Sequence, residues 1–506
     1  MGNLSTVYDV FVVGGGINGA GIANDAAGRG LNVMLCEMND LASATSSNSS
    51  KLIHGGLRYL EYYEFSLVKK ALAEREVLLK NAPHIISPLV FRLPHQPHLR
   101  PAWMIRAGLF LYDNLSKRIS LPKSRSVKFD NNAPLKSHVV KGFEYADAWV
   151  DDARLTVLNA VSAQEHGATV LTRTKLVAAE SIDDIWHLTL ENTDTGETTL
   201  VKSKTLMNAA GPWVESITGL SKKITPSQHV RLVKGSHFVV PKIHNDDHAY
   251  ILQNEDNRIV FVLPFEQDFS LVGTTDVDFS GDPSDAEISH EEIDYLIEIS
   301  NSYFKTQISR DDIVHTYAGI RPLLQDEAED AKAVTRDYTI ELVTKKHAPL
   351  VNIYGGKITT YRTLAEAAVD KLTALFPNMK PAWTKAAALP GGNFHSRDAL
   401  SAKLAEEFPW LPHALRQRFV RSYGTYTSKI LENCNCLEDL GKDFGAGLYQ
   451  KELCYLMNHE WAKGVDDIIW RRTKLGLRLT EQQKNELTKY LAEKCVTADY
   501  ETACCA

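Results

Sequence analysis

The chain has 506 residues, of which 44% are hydrophobic and 24% charged, and its formal net charge is −7 at pH 7. This length exceeds what one small core needs, so we expect a globular protein of two or three domains. The acidic balance argues against general nucleic-acid binding. No apolar stretch reaches the ~18 residues of a membrane-spanning helix. The cysteine spacing matches no common zinc pattern, and we predict no metal.

The first element is a buried strand that runs directly into a glycine-rich turn. The apolar run at 10–13 is followed by Gly14-x-Gly16-x-x-Gly19 and a helix-compatible segment, which is the dinucleotide-binding fingerprint. Gly14 permits the tight turn, Gly16 lets a pyrophosphate approach the backbone, and Gly19 lets helix and strand pack closely. A second apolar run ends at Glu37, 18 residues after Gly19, where a carboxylate would bind the ribose. The absence of an arginine directly after Glu37 favours a 2′-hydroxyl over a 2′-phosphate.

A polar tract at 42–51 then leads into the sequence LIHGGLRYL at 52–60. The tract by itself is typical of a serine-rich linker. The sequence after it mixes apolar, glycine and charged residues, as linkers rarely do. We therefore predict that hydroxyls and amides of the tract hold a pyrophosphate. His54, Arg58 and Tyr59 could reach a polar substrate, and a helix is expected over 64–80.

The next stretch is irregular and then strongly basic. Five prolines between 83 and 101 predict irregular or edge structure. From Arg100 to Lys128 there are seven Lys or Arg against one acidic residue, a local net charge of +6, with apolar residues between Trp103 and Tyr112. This stretch could insert at a membrane surface. The alternative is a buried helix with a solvated basic face.

From about residue 142 a further unit begins with a helix that reaches about 167, for which Asp152 is the expected cap. Strand-like runs follow. The run over 205–213 ends in a turn at Gly211-Pro212, where small residues suit a second close approach to the cofactor. Residues 229–280 have strand patterns, and 290–305 have a helical pattern.

A last strand at 350–354 runs into Gly355-Gly356-Lys357 and another helix. Glycines that open a helix after a strand predict a second anion-binding site, by the same reasoning as for the first. The segment 389–392 is a natural domain boundary, because it combines proline with two glycines. Beyond it strand alternation is lacking, and we predict a separate helical domain.

Two stretches together resemble the signatures of the FAD-dependent glycerol-3-phosphate dehydrogenases, VVGGGINGAGIANDAAGRG at 12–30 and GGKITTYRTLA at 355–365. The same family is matched by SSKLIHGGLRYLE (49–61), KGSHFVVP (234–241), ILQNEDNRIVFVLP (251–264), GTTD (273–276), GIRPL (319–323) and TRDY (335–338). The similarity covers essentially the whole chain, and its pattern is that of the bacterial aerobic, respiratory members.

The resemblance implies an α/β flavoprotein with a discontinuous, Rossmann-like FAD-binding domain of D-amino-acid-oxidase type (1–80, 142–225 and 345–385). A mixed β-sheet substrate cap (81–141 and 226–344) and a C-terminal α-helical domain (386–506) complete the implied fold. The implied reaction is oxidation of sn-glycerol 3-phosphate to dihydroxyacetone phosphate by hydride transfer to FAD, with electrons passed to a membrane quinone. The family also implies peripheral attachment to the cytoplasmic face of the cytoplasmic membrane, and it suggests a homodimer.

The substrate that the resemblance implies is a phosphate monoester with a charge of about −2, which needs several fixed cations. The cations that lie within matched motifs are Arg58, Arg321, Arg336 and Lys357. Tyr59 is a further candidate, as a hydrogen-bond donor. A histidine titrates in the range useful for a base, so His54 and His237 are both candidates. Either could instead pack or contact the cofactor. The residues that we assign to the cofactor are Gly14, Gly16, Asn18, Gly19, Glu37, Thr45, Ser46, Ser50, Lys51, Leu52, Leu176, Gly211, Gly356, Ile358 and Thr359.

Two other functions compete with the dehydrogenase. A glycerol-3-phosphate oxidase would run the same half-reaction and use O2 as its acceptor. A non-enzymatic flavin redox sensor would bind FAD without turnover. For the membrane surface there is also a competing segment, a second basic cluster beside Trp470 that comprises Arg471, Arg472, Lys474 and Arg478.

Overall fold

The computed structural model describes residues 6–96, 99–221, 228–254, 256, 258–324, 338–345 and 347–496. The strands, in chain order, are β1 Val7–Val13, β2 Val33–Cys36, β3 Leu52–Ile53, β4 Ile86–His95, β5 Arg125–Lys128, β6 Lys141–Val150, β7 Thr169–Leu171, β8 Thr174–Ile182, β9 Ile185–Asn192, β10 Thr198–Asn208, β11 Val230–Pro241, β12 Ala249–Gln253, β13 Ile259–Phe265, β14 Phe269–Gly273, β15 Val277–Asp278, β16 His315–Leu324, β17 Thr339–Val343 and β18 Leu350–Tyr354. The α-helices are α1 Ile17–Gly28, α2 Phe65–Asn81, α3 Ala102–Asn114, α4 Asp152–Glu165, α5 Val214–Gly219, α6 His290–Tyr303, α7 Tyr361–Asp370, α8 Arg397–Glu407, α9 His413–Tyr423, α10 Thr427–Ile430, α11 Gln450–Glu460 and α12 Glu481–Val496.

The first sheet has the dinucleotide-binding strand β1 at its centre. β1 pairs in parallel with β2 on one side and with β10 on the other. β2 in turn pairs in parallel with β7, and β10 pairs in parallel with β18. The β8–β9 hairpin and β17 add antiparallel edges. Successive side chains of a strand point to opposite faces. Val10 and Val12 therefore pack with α1, α4 and α7, and Phe11 and Val13 pack with the hairpin. Because both faces are covered, β1 is apolar almost throughout.

The second sheet is mixed, as predicted. β12 runs parallel to β4, and the other pairings of this sheet are antiparallel. α6, which confirms the helix predicted over 290–305, packs on one face through Leu296 and Ile299. The other face packs against α2 and α3 through residues that include Phe91 and Leu109.

The prediction of irregular or edge structure over 83–101 was wrong for residues 86–95. These residues form β4, an interior strand that lies between β6 and β12. β12 pairs with β4 at Phe91 and Arg92, away from both Pro88 and Pro94. The prolines, which lack a backbone donor, are therefore accommodated without interrupting that ladder.

The C-terminal region is helical and has its own apolar core, which runs from Leu400 to Leu491. The division of the rest of the chain into an FAD-binding and a cap domain stays a prediction. Strand pairing places β3 and β6, from stretches that we predicted for the FAD-binding domain, in the second sheet. Within the described residues, no helix combines the length and apolarity that a membrane span requires.

Candidate active site

A cavity of about 1560 Å³ is lined by residues of both sheets. It brings together predicted residues from segments more than 300 positions apart in the chain. The predicted residues that line it are Gly14, Gly16, Asn18, Glu37, Thr45, Ser46, Ser50, Leu52, His54, Arg58, Tyr59, Leu176, Gly211, Arg321, Gly356, Lys357, Ile358 and Thr359. Gly19, Lys51 and His237 lie outside this lining, and Arg336 is outside the described residues.

The glycine turn is packed too closely for larger residues. Gly14 has φ +104°, and a Cβ at Gly19 would lie 1.9 Å from the Gly14 carbonyl oxygen. Gly19 thus acts in helix–strand packing, which explains why it does not line the cavity. The Ile17 amide donates to Ser46 Oγ at 2.9 Å, which holds the polar tract against the start of α1. Gly16 and Ile17 at the start of α1 line the cavity, and the first turn has no acidic residue, so the positive end of the helix dipole meets the cavity.

Glu37 stands beside this turn at the end of β2. Its carboxylate accepts from the Gly15 amide at 2.7 Å and from the Asn39 amide at 2.9 Å. Burial raises the pKa of Glu37. The two amides orient the carboxylate at the edge of the cavity, which suits a group that accepts hydrogen bonds from ribose hydroxyls.

The second glycine pair contacts the first motif directly. Asn18 of α1 donates from Nδ2 to the Gly355 carbonyl at 3.1 Å. Gly356 has φ +102°, and a Cβ there would lie 2.8 Å from Leu364 and 3.0 Å from Asn18 Nδ2. Two cradles of backbone, 337 residues apart in sequence, therefore line one cavity. Together they fit an extended dinucleotide, because each allows close approach of a ligand to main-chain atoms.

Several polar candidates for the substrate meet at the far side of these cradles. Arg58 and Tyr59 lie on a 3-10 turn over Leu57–Tyr62, which Gly56 enters with φ +76°. The Lys357 ammonium is 3.6 Å from the centroid of the Tyr59 ring. The His54 amide donates to Thr359 Oγ1 at 3.2 Å, so the two segments are hydrogen-bonded.

Arg321 approaches from the second sheet. Its guanidinium donates to Thr274 Oγ1 at 2.8 Å and forms an ion pair with Asp276. It passes over Gly235, where a Cβ would lie 2.2 Å from Arg321 Nη2. Gly235 is therefore a residue that keeps the guanidinium in place. We did not predict this role, although Gly235 lies within the KGSHFVVP match.

The two histidines differ in their surroundings. His54 lines the cavity, whereas His237 is buried behind Ser50, with Nε2 2.9 Å from Ser50 Oγ. Burial, together with the charges of Arg321 and Lys51, lowers the pKa of His237 well below its usual range. His237 is consequently neutral near pH 7, and it contacts the lining residue Ser50 without lining the cavity itself.

Lys51, which we assigned to the cofactor, has its side chain directed elsewhere. Its buried ammonium is 2.9 Å from Asp152 Oδ1 and also donates to the Ser47 carbonyl. The prediction that Asp152 caps the following helix was wrong. The N-cap is Asp151, which accepts from the Arg154 amide, and Asp152 instead accepts from the Ser49 amide and hydroxyl. The helix therefore begins one residue earlier than expected, at Asp152, whose carboxylate holds the polar tract instead of capping the helix.

Sequence reasoning did not identify a buried cluster behind the His54 loop. The Tyr112 hydroxyl of α3 accepts from the Gly55 amide at 2.9 Å and donates to Asp147 Oδ2 at 2.7 Å. Arg75 pairs with Asp147. These contacts fix the loop that carries His54, and no motif marks them, since the three side chains come from α2, α3 and β6.

Part of the cavity lining is apolar and includes residues of α3. The apolar lining residues are Phe91, Leu93, Met104, Ile105, Leu111, Tyr145, Ile251 and Phe261. Met104 and Leu111 are also solvent-exposed, so this part of the lining includes residues at the protein surface. Among the described residues, no group of three or more His, Cys, Asp or Glu side chains could hold a metal ion.

Comparison with known proteins identifies relatives over the full length. A family model described as "FAD dependent oxidoreductase" matches residues 9–362, and one described as "C-terminal domain of alpha-glycerophosphate oxidase" matches residues 382–496. The aerobic glycerol-3-phosphate dehydrogenase of Escherichia coli is 52% identical over 96% of this chain and 97% of its own length. The D-erythritol 1-phosphate dehydrogenase of Brucella abortus is 49% identical over 94% of this chain and 96% of its own length. The structure of the Bacillus halodurans glycerol-3-phosphate dehydrogenase with FAD is 26% identical, has a TM-score of 0.77, and covers 99% of this chain and 93% of that one.

Proposed function

We propose that this chain, which belongs to the family of FAD-dependent glycerol-3-phosphate dehydrogenases, oxidises sn-glycerol 3-phosphate to dihydroxyacetone phosphate. We propose further that it delivers the electrons to a membrane quinone. The predicted fold class and the FAD cofactor are those of the family. The observation that carries the proposal is the convergence of Arg58, Arg321 and Lys357 on the cavity that holds the dinucleotide-binding turn.

The residues of the cavity fit FAD. The turn at Gly14 and Gly16 and the start of α1 would hold the pyrophosphate, and Glu37 would bind the adenosine ribose. Gly356 and Lys357 would lie against the other end of the cofactor. When bound, FAD supplies the hydride acceptor, and the protein supplies orientation and charge.

The substrate is a dianion, and fixed cations would hold it. Arg321 is held by Thr274 and Asp276, so its fork is already oriented before the phosphate arrives. Arg58 and Lys357 would complete the cation set, with Tyr59 as a hydrogen-bond donor, and Arg336 stays a candidate outside the described residues. The C2 hydroxyl loses a proton as the C2 hydride leaves. We assign that proton to His54, because it lines the cavity whereas His237 is buried behind Ser50.

The composition of the lining supports a route for the acceptor. A quinone is apolar, and the apolar part of the lining includes the exposed residues Met104 and Leu111 of α3. A quinone dissolved in the membrane could enter there without crossing water. This supports a membrane acceptor over O2, which needs no apolar entry.

The exposed face of α3 supports peripheral attachment to the membrane. Trp103 and Phe110 are 70% and 65% exposed, and Met104 and Leu111 share their face of the helix. The nearby Ile119 is 76% exposed. The alternative was that the apolar residues of α3 are buried. Leu109 and Tyr112 are buried, but the apolar residues of the face that carries Trp103 and Phe110 are exposed. Apolar side chains beside the exposed Lys117 and Lys123 have the composition of a surface that inserts among anionic lipid headgroups.

The competing basic cluster is not a candidate for this surface. Arg472 and Lys474 are buried, and they pair with Asp40 and Asp151 respectively. We therefore place the membrane surface at α3, on the cytoplasmic face of the cytoplasmic membrane. The homodimer rests on the family resemblance, and light scattering of the detergent-solubilised protein would test it.

The decisive experiment is anaerobic reduction of the holoenzyme followed by reoxidation. We expect sn-glycerol 3-phosphate to bleach the flavin absorbance and to sustain dye reduction with net product. Reoxidation should be fast with a short-chain quinone and slow with O2. Bleaching without turnover would indicate a redox sensor, and fast O2 turnover without quinone turnover would indicate an oxidase. D-Erythritol 1-phosphate serves as the competing substrate, and a higher kcat/KM for it would overturn the substrate assignment.

A further inference from the structure

The basic segment 470–474 is directed into the protein, where it contacts the loop after β2 and residues that in turn hold the polar tract. Arg472 is fully buried and donates from both terminal nitrogens to Asp40, at 2.7 and 2.8 Å. Arg471 donates from Nε to the same carboxylate at 2.6 Å. Asp40 thus receives two arginines from the C-terminal domain, 431 and 432 residues away in sequence.

Asp40 belongs to the loop that follows β2, and that loop has two sides. Glu37, Met38 and Asn39 line the cavity, while Asp40 is buried behind them. The Asn39 amide donates to Glu37, and the Asn39 carbonyl accepts from the Arg173 amide at 2.9 Å. The position of the Glu37 carboxylate is therefore coupled, through three residues of backbone, to the hydrogen bonds that Arg471 and Arg472 donate to Asp40.

The same segment is linked to the polar tract by two indirect routes. Trp470 stacks on His315 of β16 with ring centroids 3.8 Å apart, and the Tyr317 hydroxyl of that strand donates to the Ser49 carbonyl at 3.0 Å. Lys474 pairs with Asp151, the residue before Asp152, and Asp152 holds the Ser49 amide and hydroxyl. Ser49 itself lines the cavity.

We propose that Arg471 and Arg472 are positioning residues for FAD, through which the C-terminal helical domain holds the ribose-binding loop in its binding conformation. No described residue of the C-terminal domain lines the cavity, so this effect is indirect. A loop that is already ordered loses less conformational freedom when the ligand binds, and this raises affinity. The effect falls on the adenosine half of the cofactor, because Glu37 faces that half. The inference rests on the proposed cofactor site.

The test compares two arginine-to-lysine changes. Arg472→Lys keeps the charge and loses the bidentate pair with Asp40. Arg418→Lys is the matched control, because Arg418 forms a bidentate pair with the buried Glu452 inside the C-terminal domain, with both distances 2.6 Å. Apoprotein is prepared from the wild type and both variants. FAD and ADP affinities are measured by titration, thermal stability by melting, and loop order by hydrogen exchange of residues 36–44.

We expect Arg472→Lys to weaken FAD and ADP binding about tenfold or more, which corresponds to about 1.4 kcal/mol, and to speed exchange in the loop. Arg418→Lys should lower the melting temperature and leave both affinities and the loop exchange unchanged. Equal FAD affinities for the two variants at equal loss of stability would overturn the proposal. If Arg472→Lys fails to fold, Arg471→Lys gives the same comparison. Glu37→Gln tests the ribose site separately from the positioning role of the arginines. Normal FAD retention by that variant would reject the assignment of Glu37 to the ribose.

Discussion

The phosphate of the substrate is matched by individual cations, and Arg321 is the one whose surroundings are clearest. Arg321→Ala removes one charge-assisted contact to a dianion. We expect kcat/KM for glycerol 3-phosphate to fall by the equivalent of about 1.5–3 kcal/mol, mainly through KM. Arg231→Ala is the control, because Arg231 pairs with Asp278 outside the cavity lining. Equal kcat/KM values for glycerol and glycerol 3-phosphate in the wild type would contradict the phosphate assignment.

A substitution at Gly235 tests the same phosphate site without removing a charge. Gly235→Ala places a Cβ against the Arg321 guanidinium, which must shift. We expect a smaller loss of kcat/KM than in Arg321→Ala, with FAD content unchanged. Gly219→Ala is the control, since its Cβ would meet no heavy atom within 4 Å. The assignment of Gly235 would be wrong if both alanine variants behaved as wild type in steady-state assays.

At the scale of the secondary-structure element, α3 has two faces with different roles. Leu109 and Tyr112 are buried, and the Tyr112 hydroxyl supports the His54 loop, whereas Trp103 and Phe110 face outward. Serine at Trp103 and Phe110 should therefore abolish co-sedimentation with anionic vesicles while dye-linked turnover with a soluble acceptor continues. Leu200→Ser, which removes an exposed apolar residue from β10, should sediment as the wild type.

The basic residues of this element need separate treatment. Arg118 and Arg125 pair with Asp113 and Glu144, so their reversal would disturb the protein itself. Lys117→Glu with Lys123→Glu is the cleaner double variant, since both side chains are exposed. We expect weaker binding to anionic vesicles by about 1 kcal/mol for each lysine lost and little change with neutral vesicles. Unchanged sedimentation on anionic vesicles would argue against α3 as the membrane surface.

For the whole molecule, buried histidines predict how stability depends on pH. Burial lowers the pKa of His84 to about 3, so the folded protein keeps it neutral while the unfolded chain takes up a proton below its ordinary value of 6.5. The free energy of unfolding therefore falls as pH drops below 6.5, by about 1.4 kcal/mol per pH unit for this group. His84→Gln should show a smaller loss of stability between pH 7.5 and 5.5, measured by urea unfolding of the apoprotein. Parallel pH profiles of the two proteins would contradict this account.

The sequence by itself determined the features that are set within a short stretch of chain. A strand, three spaced glycines, a helix and Glu37 lie between residues 7 and 37, and steric limits on the turn leave few other arrangements. The same holds for the strand and glycines before Lys357 and for the helical C-terminal region. Matched motifs then supplied Arg58 and Arg321, which the structure places in one cavity.

Tertiary structure decided which charged and apolar side chains face solvent, because a local pattern does not show the partner that a side chain meets. The cluster at 470–478 and the stretch at 100–128 both combine basic and aromatic residues in sequence. Arg472 is buried because Asp40, 432 residues away, neutralises it, whereas Trp103 is exposed because nothing in the described chain packs over that face of α3. Likewise, Lys51 is held by Asp152 and His237 by Ser50. Burial of a charge depends on a counter-charge brought by the fold, and this pairing is what sequence spacing leaves open.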